Sequence, residues 1–215
     1  MALGTATVPY EPRFDTGRIC LDLLSTSHPG ERLDSLAPLR AWIAGARLVP
    51  PGTELAHAGP SWPAAFRELR GDVGRLVRGY LAAGAGAGAY PYDGDPRTYR
   101  LALDRVNEAA RPAPPAPRAV PGPDGALVRQ LAGPPECAAL LAVVARDAVE
   151  LLTDPVARGA LRECAGDDCP IVYLDTSRGR RRRWCSSEVC GNRERVARHR
   201  RRTAGTAART RTRPA

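Results

Sequence analysis

The chain is 215 residues long, its 32 basic residues are all arginine, and it carries a formal charge of +9. Residues 1–163 hold 18 arginines and 18 acidic residues, whereas residues 164–215 hold 14 arginines and 5 acidic residues, so the whole excess lies in the last quarter and predicts a polyanionic partner. Such a length allows one substantial core and a small module rather than two large domains; no uninterrupted apolar run reaches membrane-spanning length, and no secretory signal is recognisable at the start, so the chain reads as cytoplasmic.

Residues 1–13 form an N-terminal arm. FDTGRICLDLLST, residues 14–26, has apolar positions at 19, 21, 23 and 24. It fits either a strand or the start of a buried helix, and periodicity does not decide between them. Residues 35–46 place Leu36, Leu39, Trp42 and Ile43 at helical spacing. Residues 61–83 repeat that spacing with Phe66, Leu69, Val73, Leu76, Val77 and Tyr80, which predicts an amphipathic helix. GAGAGAYPYDG then reads as a glycine-rich surface loop. Asp95-Pro96 is an N-cap followed by proline at the first helical position, opening a helix to about residue 110. The next 20 or so residues break helix repeatedly, and Pro123-Asp124-Gly125 between short apolar runs predicts a hairpin. Residues 134–153 form a further helix, and Asp154-Pro155 opens a short one leading to Cys164.

The fold class expected is α+β. A mostly helical domain with a small antiparallel β component spans residues 14–160, and a C-terminal module spans 161–202. Residues 203–215 have nothing apolar enough to bury and read as a disordered basic tail.

The module is defined by its cysteines. Cys164, Cys169, Cys185 and Cys190 give C-x4-C, fifteen residues, then C-x4-C, which suits tetrahedral zinc held by four thiolates. A reducing compartment disfavours the alternative of disulfides. Four thiolates close the coordination sphere, so a structural site is expected rather than a catalytic one. Ile171 to Leu174 reads as a strand, 176–179 as a turn, and 181–184 as the returning strand, with Cys190 in the first turn of the following helix. A knuckle, a hairpin and a helix carrying the last ligand describe a treble-clef-like zinc finger. Cys20 and Cys137 stand in apolar surroundings and are expected to be small core residues.

WCSSEVCGNR resembles the signature of the CGNR zinc-finger family, with Cys190, Gly191, Asn192 and Arg193 matching its tetrad. GRICLDLLST, the helix around Trp42 and RDAVELLTD are similar to the ABATE domain that usually precedes this finger. The likeness covers about residues 14–202. It implies a bacterial, stress-linked transcription regulator with an α+β N-terminal domain and a zinc-binding C-terminal module. One departure is Ser25-Thr26, where family members usually show Asn-Thr; serine can partly replace a turn contact made by asparagine.

Candidate nucleic-acid contacts are Arg180, Arg181, Arg182 and Arg183 on the expected hairpin and Arg193, Arg195, Arg198 and Arg202 on the helix. If 180–184 is a strand, Arg180 and Arg182 share a face with Trp184, and Arg181 and Arg183 share the other. Trp184 is read as an anchor of the module's core rather than a base-stacking residue. Val189 and Val196, one heptad apart, are read as the packed side of the helix. Gly191 and Asn192 are read as fixing the turn, although asparagine can also pair with adenine. The expected partner is DNA, with zinc as cofactor. The N-terminal domain would sense a small-molecule effector or mediate homodimerisation. The alternatives are RNA binding by the same module and redox or zinc sensing by its thiolates. Only His28, His57 and His199 are present, without ligand or triad spacing, and no phosphate-binding glycine loop follows a strand, so no enzyme activity is expected.

Overall fold

A computed structural model describes residues 12–83 and 95–211, from residue 202 onward by backbone alone. The glycine-rich loop expected after residue 83 lies outside them. The ambiguous stretch at 14–26 resolves into helix α1, Ile19–Ser25. Cys20, Leu21, Leu23 and Leu24 are all buried, so α1 is a core element hidden on every side, which is why its sequence shows no helical stripe. Its first turn is held from outside: the Cys20 N–H donates to Asp147 Oδ2 at 2.9 Å, and Arg18 Nε meets Asp147 Oδ1 at 2.8 Å. A carboxylate at a helix N-terminus satisfies N–H groups that the helix itself leaves unpaired.

Helix α2, Leu36–Gly45, and helix α3, Ser61–Ala82, follow the expected stripes. Trp42 is fully buried and meets Phe66 edge-on at 5.9 Å, while Phe14 closes over Trp42 at 6.4 Å. Each fully buried large apolar side chain contributes roughly 1.5–3 kcal/mol. Helix α4, Pro96–Ala110, begins as expected: Asp95 Oδ1 accepts the Arg97 N–H at 3.0 Å. Strands β1, Pro117–Pro121, and β2, Leu127–Leu131, form the expected hairpin, pairing Pro117 with Leu131 and Val120 with Val128. Helix α5, Cys137–Thr153, starts after the predicted residue 134, because Pro134 and Pro135 have no N–H to give and hold the chain extended. Helix α6, Pro155–Arg158, repeats the Asp-Pro start, with Asp154 Oδ1 accepting the Val156 N–H at 2.8 Å. None of the described helices is long and apolar enough to cross a membrane.

Strand β3, Leu161–Glu163, pairs antiparallel with β4, Val172–Leu174, with Leu161 opposite Leu174. The returning strand expected at 181–184 does not form. The Arg182 N–H goes to the Asp175 carboxylate at 3.1 Å and the Arg182 carbonyl accepts from the Tyr173 hydroxyl, so neither group is available to a ladder. The last element is helix α7, Cys190–Arg211. It runs past residue 203, where a disordered tail was expected to begin.

Side chains alternate across a strand, and β4 uses this to join two cores. Val172 and Leu174 pack with Leu161 into the large helical core, whereas Ile171 and Tyr173 pack around Cys185 and Cys190. The chain before α1 lies against the same strand: the Leu174 N–H donates to the Thr16 carbonyl at 2.7 Å. Gly17, at φ +91°, lets the backbone come this close; a Cβ there would lie 3.2 Å from Leu174 Cβ.

Asp22 on α1 is buried, its Oδ1 accepting from the Thr16 hydroxyl at 2.7 Å and the Thr16 N–H at 3.2 Å. Burial outweighs these bonds and raises its carboxyl from 3.8 to about 6. Between pH 4 and 6 the folded chain therefore keeps a proton that the unfolded chain has lost, so this group's contribution to stability falls as pH rises through that window. Asparagine can accept the same two bonds without the buried charge. Asp22→Asn is expected to raise stability at pH 7.5 by roughly 1–2 kcal/mol and to flatten the decline between pH 4 and 6. Urea unfolding across pH checks this, and a variant less stable than wild type at pH 7.5 would contradict it.

Candidate metal centre and its arginine surface

Each cysteine is placed by a local backbone device. Cys164 follows β3 directly, its N–H donating to the Ile171 carbonyl at 3.0 Å, and the Cys169 N–H closes the first loop on the Gly166 carbonyl at 3.2 Å. The second pair flanks a turn capped by Ser186, whose Oγ accepts the N–H groups of Glu188 at 3.2 Å and Val189 at 3.3 Å. The Gly191 N–H then donates to the Ser186 carbonyl at 2.9 Å. Gly191 is buried there, and a Cβ would lie 3.4 Å from that carbonyl and 3.7 Å from the Trp184 ring. Ser186, which sequence reasoning did not single out, fixes this turn. Asn192 is exposed and its side chain makes no hydrogen bond among the described residues.

These devices bring all four predicted cysteines together, with their Sγ atoms within 4.8 Å of one another. Cys169 and Cys185 are 3.8 Å apart and Cys185 and Cys190 3.6 Å. Four Zn–S bonds of about 2.3 Å give a tetrahedron with edges of about 3.8 Å, whereas a disulfide requires about 2.05 Å. The donor set therefore fits a soft, tetrahedral metal ion with no open position. The thiols resist ionising together. Burial and then the neighbouring Cys169 and Cys164 charges push Cys185 up, and burial raises Cys190 to about 11. Cys164 moves the other way: burial opposes ionisation, but the N–H groups of Cys185 and Gly166 bring its thiol down. A dication that offsets these charges displaces protons, so metal affinity rises with pH.

Outside the cage, Arg13 Nη2 lies 3.7 Å from Cys185 Sγ and is ion-paired to Asp15 at 2.6 Å. Arg182, expected on a nucleic-acid face, is instead a structural clamp. Its Nε donates to the Trp184 carbonyl at 2.9 Å, its Nη2 to the carbonyls of Asp15 at 3.0 Å and Cys185, and its guanidinium lies 4.6 Å above the Tyr173 ring. The strand alternation that paired it with Arg180 fails because Arg180 sits at φ +47° and turns the chain. Trp184 packs against the thiol core, with the Arg183 guanidinium 5.3 Å over its ring.

The packed face of α7 also differs from expectation. Val189 and Val196 are 41 % and 44 % exposed, whereas Cys190 is buried and Glu194 and Ala197 are half-buried. Anchoring Cys190 in the cage sets the rotation of the helix, and positions 190, 194 and 197 share the inner side. Arg193, Arg195 and Arg198 are exposed. Glu194 offsets part of this charge through Arg201 at 2.8 Å and Arg198 at 3.9 Å. The Arg202 side chain lies outside the described residues. Arg178, Arg180 and Arg181 are exposed and make no ion pair among the described residues.

In the helical domain a cavity of about 490 Å³ opens beside α2, lined by Arg40, Ile43, Val49, Glu54 and Leu55 among others. Residues 17–155 match the family model ABATE, whose description reads "Putative stress-induced transcription regulator". Residues 160–203 match the CGNR zinc finger, a span that contains all four clustered cysteines. The search of curated proteins gave no match.

Proposed function

We propose that this chain, which belongs to the ABATE family and carries a CGNR zinc finger, is a zinc-dependent DNA-binding transcription regulator. The observation that carries the reading is the juxtaposition of a closed four-thiol cage with exposed arginines, of which Arg178, Arg180 and Arg181 make no ion pair among the described residues. Four cysteine ligands favour zinc, whose d-shell imposes no other geometry and which soft thiolates select. The metal's role is to hold the fold. Recognition falls to Arg180, Arg181 and Arg183 beside the cage and to Arg193, Arg195 and Arg198 on α7, with Arg182 withdrawn from that set. Guanidinium groups are planar forks that match phosphate oxygens.

The helical domain would then carry regulation. Its cavity beside α2 falls within the usual volume range for small-molecule sites, and an effector bound there or a second copy of the chain would modulate the finger. Neither family that the chain matches is an enzyme family by its description.

If about five arginines each neutralise one phosphate, log K falls with log salt at a slope of roughly −4 to −5. Fluorescence anisotropy with a duplex between 50 and 200 mM salt measures it. An isotherm insensitive to salt would overturn the proposal, and tighter binding to structured RNA than to duplex would reassign the polyanion.

A further inference from the structure

Asp175 follows β4 directly and is 2 % exposed, and among the described residues it forms no ion pair with an arginine side chain. Its Oδ1 accepts the Ser177 N–H at 3.0 Å and the Ser177 hydroxyl at 2.6 Å, and its Oδ2 accepts the Arg182 N–H at 3.1 Å. Ser177 Oγ in turn accepts the Arg181 N–H at 3.2 Å, and the Arg180 N–H donates to the Ser177 carbonyl at 3.0 Å. Residues 175–182 thus close on one carboxylate, without a strand ladder. Arg180 occupies the left-handed region inside this loop, a conformation a non-glycine residue keeps only when its surroundings hold it.

The carboxylate's hydrogen-bonding capacity is spent on backbone and hydroxyl donors, and it makes no direct ion pair with Arg178, Arg180 or Arg181. Arg178, Arg180 and Arg181 project from the closed loop into solvent with no partner among the described residues. Three forks without an ion pair on one preformed turn are suited to an anion with several oxygens at repeated spacing, and preforming the turn lowers the ordering entropy of binding.

We infer that Asp175 and Ser177 are positioning residues that pre-order residues 175–182 as a loop for the phosphodiester backbone. This assigns Arg178 to the contact set and makes the loop's contribution sequence-independent, since phosphate contacts carry no base identity. The inference rests on the nucleic-acid reading above.

The test uses the full-length zinc-loaded chain and a random-sequence duplex, with affinity measured across salt concentration. In Asp175→Ala all arginines remain but the loop is disordered. Affinity is expected to fall about tenfold at every salt concentration, with the salt slope kept. Ser177 is exposed, so Ser177→Ala keeps the fold and is expected to lose a few-fold. Arg181→Ala removes a contact instead, and its slope is expected to shrink by about 0.9. Zinc content stays at the wild-type value in all three. Wild-type affinity in both Asp175→Ala and Ser177→Ala would overturn the assignment while leaving DNA binding intact. Loss of zinc in Asp175→Ala together with wild-type binding by Ser177→Ala would also overturn it, by making Asp175 a support of the cage. A wild-type chain that binds no duplex at any salt would overturn the nucleic-acid reading, and this inference with it.

Discussion

Cys185→Ser is expected to abolish metal binding, unfold the C-terminal module and eliminate the proposed DNA binding. Cys185 is fully buried and central in the cage, with Sγ at 3.8 Å from Cys169 and 3.6 Å from Cys190, and its N–H donates to Cys164 Sγ at 3.2 Å. A module of about 40 residues cannot bury enough apolar surface to fold unaided. Its own core consists of Ile171, Tyr173 and Trp184 around the thiols. Structural zinc contributes roughly 10–16 kcal/mol in small modules, comparable to the whole folding free energy of a domain. Metal content should therefore fall from one per chain to none, and affinity for duplex should fall at least a hundredfold. The helical domain should survive with a lower melting temperature, by roughly 5–10 °C, because Leu161, Val172 and Leu174 lose part of their cover. Metal analysis, amide exchange and anisotropy check the three parts. Cys20→Ala is the control: Cys20 lies in the other core, so that variant should keep its metal. A Cys185→Ser chain that retains stoichiometric zinc would contradict the four-ligand assignment.

The second large effect is expected at Arg182, and its contrast with Arg181 is the informative part. Arg182→Ala leaves the carbonyls of Asp15, Trp184 and Cys185 without their donor and removes the cation over Tyr173. Losing a charged donor that serves several half-buried acceptors costs roughly 3–5 kcal/mol. Lysine should not rescue it, because one ammonium cannot fork across separated carbonyls while lying flat on a ring. Arg181, one residue earlier, is exposed, and among the described residues its hydrogen bond is that of its N–H to Ser177 Oγ. Arg181→Ala should change stability by less than about 0.5 kcal/mol while weakening the proposed binding to duplex. Urea unfolding of both variants decides it, and equal stability would show that Arg182 clamps nothing.

The cage was legible in the sequence because four cysteines at paired spacing have few other uses in a chain of this kind. The helices α2 to α5 were legible because their apolar stripes face a single core. The Asp-Pro starts of α4 and α6 were legible because capping is a local interaction. What failed was whatever depended on a partner distant in sequence. Helix α1 shows no stripe because it is covered on all sides. The partner of β4 is β3, on the other side of the first cysteine pair, and the expected return strand lost its groups to Asp175 and Tyr173. Val189 and Val196 kept heptad spacing, yet the thiol of Cys190 set the helix phase against them. Arg182 and Arg181 are identical as letters, and only the fold separates a clamp from an exposed side chain. Asp175 and Ser177 did leave a signal, an Asp followed two residues later by Ser, the pattern of a side chain turning back on its own backbone.

Because the faces of β4 belong to different cores, the boundary between the helical domain and the finger runs along a strand and not through a linker. A finger excised at Cys164 would leave its β3 partner behind and turn Val172 and Leu174 out to water. The helical domain cut at the same place would lose those two side chains and the backbone partner of Thr16. A finger grafted onto an unrelated domain would need new residues at Val172 and Leu174, the face of that one strand that the helical core covers here.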